Sequence, residues 1–196
     1  QGFIEFHSPK LLGGSSEGGT NVFKLKYFEK DACLAQSPQL YKQMMVMSDF
    51  DRVFEIGPVF RAENTNTHRH MCEFTGLDLE MTIKESYLEI LQLVGDMFYH
   101  IFKGLLEQFG KELVAINEQY PFEPFLFSDK PFLLEFQEGV KMLNEAGIEQ
   151  SPEEDLSTPT EKALGKLVRD KYKTDFYILH RYPESARPFY TMPCHD

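Results

Sequence analysis

Val53-Phe54-Glu55-Ile56-Gly57-Pro58-Val59-Phe60-Arg61-Ala62-Glu63 and Glu73-Phe74-Thr75-Gly76-Leu77-Asp78-Leu79-Glu80-Met81-Thr82-Ile83 are two long strand-like runs. Between them lies the polar segment Asn64-Thr65-Asn66-Thr67-His68-Arg69-His70-Met71-Cys72. This pattern predicts an antiparallel pair joined by a long loop. In the second run Thr75, Leu77, Leu79 and Met81 share one face, and Phe74, Asp78 and Glu80 share the other with Gly76. The first face is suited to packing, and the second carries groups capable of chemistry. Arg61 and Glu63 likewise share a face at the end of the first run.

On the N-terminal side, residues 2–7 read as the end of a strand, followed by Ser8-Pro9 and a loop from Lys10 to Gly19 whose glycine content argues against regular structure. Ser37-Pro38 predicts a helix start, with Ser as N-cap and Pro at the first helical position. That helix runs from Gln39 to about Ser48, with Leu40, Met44 and Met47 on one side and Gln39 and Lys42 together on another. Its methionines Met44, Met45 and Met47 read most simply as core filler. Downstream, apolar residues at helical spacing predict a long helix over Glu85 to Phe109, with Gly110 at its end. A connection containing Pro121, Pro124 and Pro131 leads to helices at about Leu133–Ala146, closed by Gly147, and about Pro159–Tyr172, capped by Thr158. Residues 176–179 and 189–191 read as strands.

The 196 residues are 42% hydrophobic and 26% charged, with 18 Phe and no Trp, a composition that excludes a disordered tail and supports one good core. No apolar stretch reaches the roughly 18 residues of a membrane span, and no charged-then-apolar leader opens the chain. Three widely spaced cysteines, Cys33, Cys72 and Cys194, suit a reducing compartment, so the expectation is a soluble, cytoplasmic protein without membrane partners. The net charge of −11 excludes binding to nucleic acid through a broad basic surface. The acidity is uneven: residues 1–82 carry 8 basic and 11 acidic side chains, and residues 83–196 carry 12 and 20. A polyanion would therefore approach the first part.

An Arg on a strand, cationic or protonatable groups in the adjoining loop and an aromatic on the returning strand together suit a nucleoside triphosphate. Arginine presents a planar, permanently charged fork to phosphate oxygens, and an aromatic face stacks on a base. His68, His70 and Cys72 alternate as zinc ligands could, but three ligands on one loop without a fourth make a poor structural site. Cys33 and Cys194 have no suitably spaced His to activate them.

Phe60-Arg61-Ala62-Glu63, followed by Thr67-His68-Arg69-His70 and Glu73-Phe74-Thr75-Gly76-Leu77-Asp78, resembles motif 2 of the class II aminoacyl-tRNA synthetases, in the form used by aspartyl-tRNA synthetases of the eukaryotic and archaeal type. Gln36-Ser37-Pro38-Gln39-Leu40-Tyr41-Lys42-Gln43 is a second match, and Arg187-Pro188-Phe189-Tyr190-Thr191-Met192-Pro193 a third. The resemblance covers nearly the whole chain. It implies an α/β (α+β) catalytic fold, an antiparallel sheet flanked by helices, incomplete here: the end of motif 1 through motif 2, without motif 3 or the anticodon-binding domain.

The resemblance implies that Arg61 grips the ATP α-phosphate, that Arg69, His70 and Met71 line the ATP site, and that Phe74 stacks on adenine. Ser16 and Glu17 lie in a flap over bound L-aspartate, where a carboxylate could meet the substrate ammonium, and Gln39 meets the amino acid's backbone end. Asp78 either orients the substrate amino group or its partners, or bridges strands in a structural role. Lys42 meets the substrate's side-chain carboxylate, and the closely related asparaginyl enzymes lack this Pro-Gln-Leu-Tyr-Lys form. Glu63, Thr65 and Thr67 face the acceptor end of tRNA(Asp), and Pro9 belongs to a homodimer interface. Mg2+ accompanies ATP, with its ligands expected past residue 196 and no metal ligands within the chain. The implied activity is aspartate–tRNA ligation by a full-length parent, with the isolated chain inactive or nearly so. The alternatives are a non-catalytic synthetase-like protein that binds an amino acid or a partner, and an asparaginyl-type relative.

Overall fold

The computed structural model describes residues 1–15, 21–65, 70–188 and 191–193. The chain divides into two compact units, residues 1–84 and 85–196.

The first unit is built on the predicted pair. β5 (Arg52–Phe60) and β6 (Glu73–Met81) run antiparallel in unbroken register from Arg52 opposite Met81 to Phe60 opposite Glu73. β1 (Ile4–Glu5) joins β5 on its other edge in parallel, so the three-stranded sheet is mixed, in the order β1-β5-β6. A second sheet, β2-β4-β3, combines β2 (Leu11–Leu12) with the hairpin of β3 (Lys24–Tyr27) and β4 (Lys30–Leu34). Part of the expected glycine-rich loop is therefore strand, because Leu11 and Leu12 pair with Leu34 and Cys33.

The division of labour between the faces of β5 and β6 differs from the sequence expectation. Val53, Glu55 and Val59, on the chemistry-bearing face, are fully buried, whereas Ile56 and Leu77, a cross-strand pair on the apolar face, are both 51% exposed. The chemistry-bearing face is covered rather than open: α1 (Gln39–Met47) packs against both strands, and Ser8 and Lys10 close over Glu55. This helix also turns opposite to expectation: it buries Lys42 and exposes Leu40, Met44 and Met47, so the methionine stripe is not core. Its start is one residue late, with Pro38 at the cap position, and Ser37 Oγ still accepts the Gln39 N–H at 3.3 Å.

In the second unit, Leu134, Met142, Leu143, Leu164 and Val168 form a buried cluster from β7 (Leu133–Glu135), α4 (Phe136–Glu145) and α5 (Thr158–Tyr172). β7 replaces the first turn of the predicted helix because it pairs in parallel with β8 (Ile178–His180). Ser157 rather than Thr158 caps α5, its Oγ accepting the Thr160 N–H, while Arg169 and Lys171 complement the dipole at the other end. The long helix is α2 (Leu88–Gln108), and Gly110 opens a further helix, α3 (Gly110–Gln119), instead of ending helical structure. Phe98 and Phe102 of α2 pack against Phe176. Phe189 and Tyr190 of the last predicted strand lie outside the described residues, as do Ser16, Glu17, Thr67, His68, Arg69 and Cys194.

Candidate active site on the β5–β6 sheet

Strand parity sets the first half of the site. Val59 stands opposite Phe74, so Arg61, two residues on, projects from the same face as Phe74. The Arg61 N–H donates to Cys72 O at 2.9 Å, closing the hairpin, and the guanidinium lies 5.5 Å from the centre of the Phe74 ring. The guanidinium is exposed, its fork open to an anion beside an aromatic plane. Beyond it Glu63 Oε2 lies 3.5 Å from His70 Nε2, so the loop's two ends are tied by a carboxylate and an imidazole. Met71 and Thr65 are exposed.

The second half is built from α1. Lys42 is 9% exposed, and its ammonium donates to Asp78 Oδ1 at 3.3 Å and to Leu79 O at 3.5 Å, with Glu80 Oε2 at 3.7 Å. A lysine so buried requires counter-charge, and two half-buried carboxylates on one face of β6 supply it. Gln39 stands one turn before Lys42, at the start of the same helix. Gly57 and Gly76 are cross-strand partners between the Phe74 and Asp78 positions. A Cβ on Gly76 would lie 3.0 Å from Asp78 Oδ2 and 3.2 Å from Val59 Cγ2, so this glycine is required for the carboxylate to lie along the strand. Together these make a floor with a cation and aromatic at one end and a lysine–carboxylate cluster at the other.

Thus Arg61 meets Phe74, Lys42 meets Asp78, and Glu63 meets His70. Pro9 is exposed beside the edge strand β1 and joins neither cluster. Arg187, from the third matching segment, lies in the second unit over the Tyr182 ring at 3.9 Å and 3.2 Å from Asp155 Oδ2.

Sequence reasoning missed two features of this face. Glu80 supplies Lys42 with a second carboxylate, as its shared face with Asp78 could have indicated. Glu55 is 2% exposed and accepts from Ser8 N at 2.9 Å, Ser8 Oγ at 2.6 Å and Lys10 Nζ at 2.8 Å. Burial pushes its carboxyl upward, but the bonds from Lys10 and Ser8 and the Lys10 charge outweigh this and hold it below the ordinary carboxylate value. A carboxylate in the middle of the first strand-like run was the available signal. Among the described residues, no group of three or more His, Cys, Asp or Glu side chains is arranged to hold a metal ion. Cys33 and Cys72 are free thiols, and no helix among the described residues is long and apolar enough to cross a membrane.

The chain belongs to the class II tRNA synthetases (D, K and N), whose family model matches residues 1–196. It is 58% identical over 194 residues to the cytoplasmic aspartate–tRNA ligase 2 of Arabidopsis thaliana, covering 99% of this chain and 35% of that protein. It is 55% identical over 193 residues to the cytoplasmic aspartate–tRNA ligase of Homo sapiens, covering 98% of this chain and 38% of the relative. A solved structure of the aspartyl-tRNA synthetase from Entamoeba histolytica aligns with a TM-score of 0.81 at 45% identity, covering 98% of this chain and 36% of that one. The chain therefore spans little more than a third of the length of these relatives.

Proposed function

We propose that residues 1–196 are part of the catalytic domain of a cytoplasmic aspartate–tRNA ligase, acting as a homodimer through the Pro9 region. The parent would activate L-aspartate with ATP to aspartyl adenylate and transfer the aspartyl group to the 3′ end of tRNA(Asp). The observation that carries this reading is the burial of Lys42 against Asp78 and Glu80 on the face that also presents Arg61 and Phe74.

In this reading Phe74 stacks on adenine and Arg61 takes the α-phosphate. The substrate carboxylate attacks the α-phosphorus in line, pyrophosphate leaves, and the guanidinium stabilises the charge that develops. Arg69, His70 and Met71 complete the ATP site, while Lys42 takes the aspartate side chain, Asp78 the ammonium, and Gln39 the backbone end. The Ser16–Glu17 segment covers the amino acid. Glu63, Thr65 and Thr67 face the incoming tRNA, whose terminal ribose hydroxyl attacks the adenylate. No side chain needs to become covalently attached. Magnesium would neutralise phosphate charge.

Aspartate-dependent exchange of pyrophosphate into ATP by the full-length parent tests the proposal. Exchange with aspartate and little with asparagine is expected; absence of exchange, or equal exchange with both, would overturn it. The 196-residue chain alone is expected to give little or none.

A further inference from the structure

Glu55 has no role in the scheme above, yet it is the deepest carboxylate on the site face. It stands directly opposite Asp78 across the strand pair, and like charges in that position repel. An apolar residue could anchor β5 to the Ser8–Lys10 segment as well as a buried ion pair does. A charge here therefore calls for a more specific explanation.

The explanation lies in the two lysines. Lys42 serves Asp78 from α1, and Lys10 serves Glu55 from the segment between β1 and β2, also touching Ser8 Oγ at 3.0 Å. Lys10 Nζ lies only 3.4 Å from where a Cβ on Gly57 would be, and Asp78 Oδ2 lies 3.0 Å from that of Gly76, its register partner. Cross-strand Cβ positions are about 5 Å apart. Lys10 Nζ and Asp78 Oδ2 thus lie over the same cross-strand glycine pair, with no side chain from either glycine between them. Asp78 Oδ1 is taken by Lys42, and Oδ2 accepts no hydrogen bond among the described residues.

We propose that Glu55 is a positioning residue that holds the Lys10 ammonium off Asp78, keeping Asp78 Oδ2 open for the ammonium group of the amino-acid substrate. This rests on the reading of Asp78 as the ligand of that group. The charged groups that decide the balance are Lys42 from α1, Glu55 from β5, Lys10 from the β1–β2 segment and Glu80 on β6 itself.

The test is pyrophosphate exchange by the full-length parent, with aspartate and ATP varied separately in wild type, Glu55→Gln, Lys10→Met and the double variant. In Glu55→Gln the released Lys10 competes with substrate, so KM for aspartate rises about tenfold while KM for ATP stays within about twofold. The double variant has no free lysine and returns KM for aspartate to near the wild-type value. Lys10→Met alone leaves it near wild type while lowering the melting temperature. A merely structural role predicts a double variant no better than Glu55→Gln, and that result overturns the inference. So does an unchanged aspartate KM in Glu55→Gln, or an equal rise for ATP. Should Glu55→Gln fail to fold, a tenfold rise in aspartate KM in Lys10→Met would overturn the inference, and an unchanged value with a folded double variant would support it. Absence of exchange by the wild-type parent overturns the ligase reading and this inference together, whereas wild-type exchange with unaltered variants overturns the inference alone.

Discussion

Lys42 and Asp78 meet at 3.3 Å between the buried side of α1 and the middle of β6, and Glu80 approaches the same ammonium from 3.7 Å. The lysine is held by side chains from a different element, so its position does not depend on substrate. Lys42→Met removes the cation that would reward a second carboxylate on the substrate and leaves Asp78 and Glu80 facing each other uncompensated. The expected loss in kcat/KM for aspartate is about 100-fold, or about 3 kcal/mol, with preference over asparagine abolished. Exchange assays of the full-length parent with each amino acid measure both quantities.

Arg61 and Phe74 make a separable prediction, because they lie at the other end of the floor. Replacing Phe74 by Ala removes the stacking surface and should cost about 1–3 kcal/mol, roughly a 5- to 150-fold rise in KM for ATP. Arg61→Lys keeps the charge and loses the fork, and should lower kcat by about 10²- to 10³-fold. In both variants KM for aspartate should change little, which steady-state kinetics with each substrate varied in turn will show.

The parts of this site that were legible in the sequence are those set by local pattern. Alternation in Glu73–Met81 put Phe74, Asp78 and Glu80 on one face, and the two runs around a polar segment indicated an antiparallel pair, whose register the structure supplies. Lys42 was legible only by resemblance, since helical periodicity alone favours burial of Leu40, Met44 and Met47. Tertiary pairing with two carboxylates reversed that choice, an effect no single helix encodes. The β3–β4 hairpin was missed because its turn, Phe28-Glu29, contains no Gly, Asn or Pro. Phe28 itself adopts a φ of 53° there, and its ring packs edge-on against Tyr27. β7 was absorbed into a predicted helix because a three-residue parallel strand is specified by its distant partner, Ile178–His180.

Tyr177 gives a pH prediction with a definite sign. Burial, with smaller effects from Tyr182 and Glu161, pushes its phenol from the ordinary 10.0 up to about 12. The folded state thus keeps a proton that the unfolded chain gives up near pH 10. Its contribution to stability is fully present below pH 10 and is lost as the pH rises toward 12. Denaturant unfolding of the protein between pH 9 and pH 12 should show stability falling with pH. Tyr177→Phe should reduce that fall, while Tyr182, which burial also raises, acts in the same direction.

Two glycines inside helices of the second unit should respond to alanine with opposite signs. Gly95, buried in α2, faces Pro131 so closely that an added Cβ would lie 2.0 Å from Pro131 Cγ and 2.4 Å from its Cβ. Pro131 is a rigid ring and cannot swing away as a lysine would. Gly95→Ala should therefore destabilise by about 1–3 kcal/mol, although alanine is the better helix former. Gly165 in α5 has no atom within 4 Å of its Cβ position. There the backbone term acts alone, and Gly165→Ala should stabilise by about 0.5–1 kcal/mol. Urea unfolding of the two variants beside the parent decides the matter: a destabilised Gly165→Ala, or a Gly95→Ala as stable as wild type, would contradict the packing of α2 on Pro131 or the open surroundings of α5.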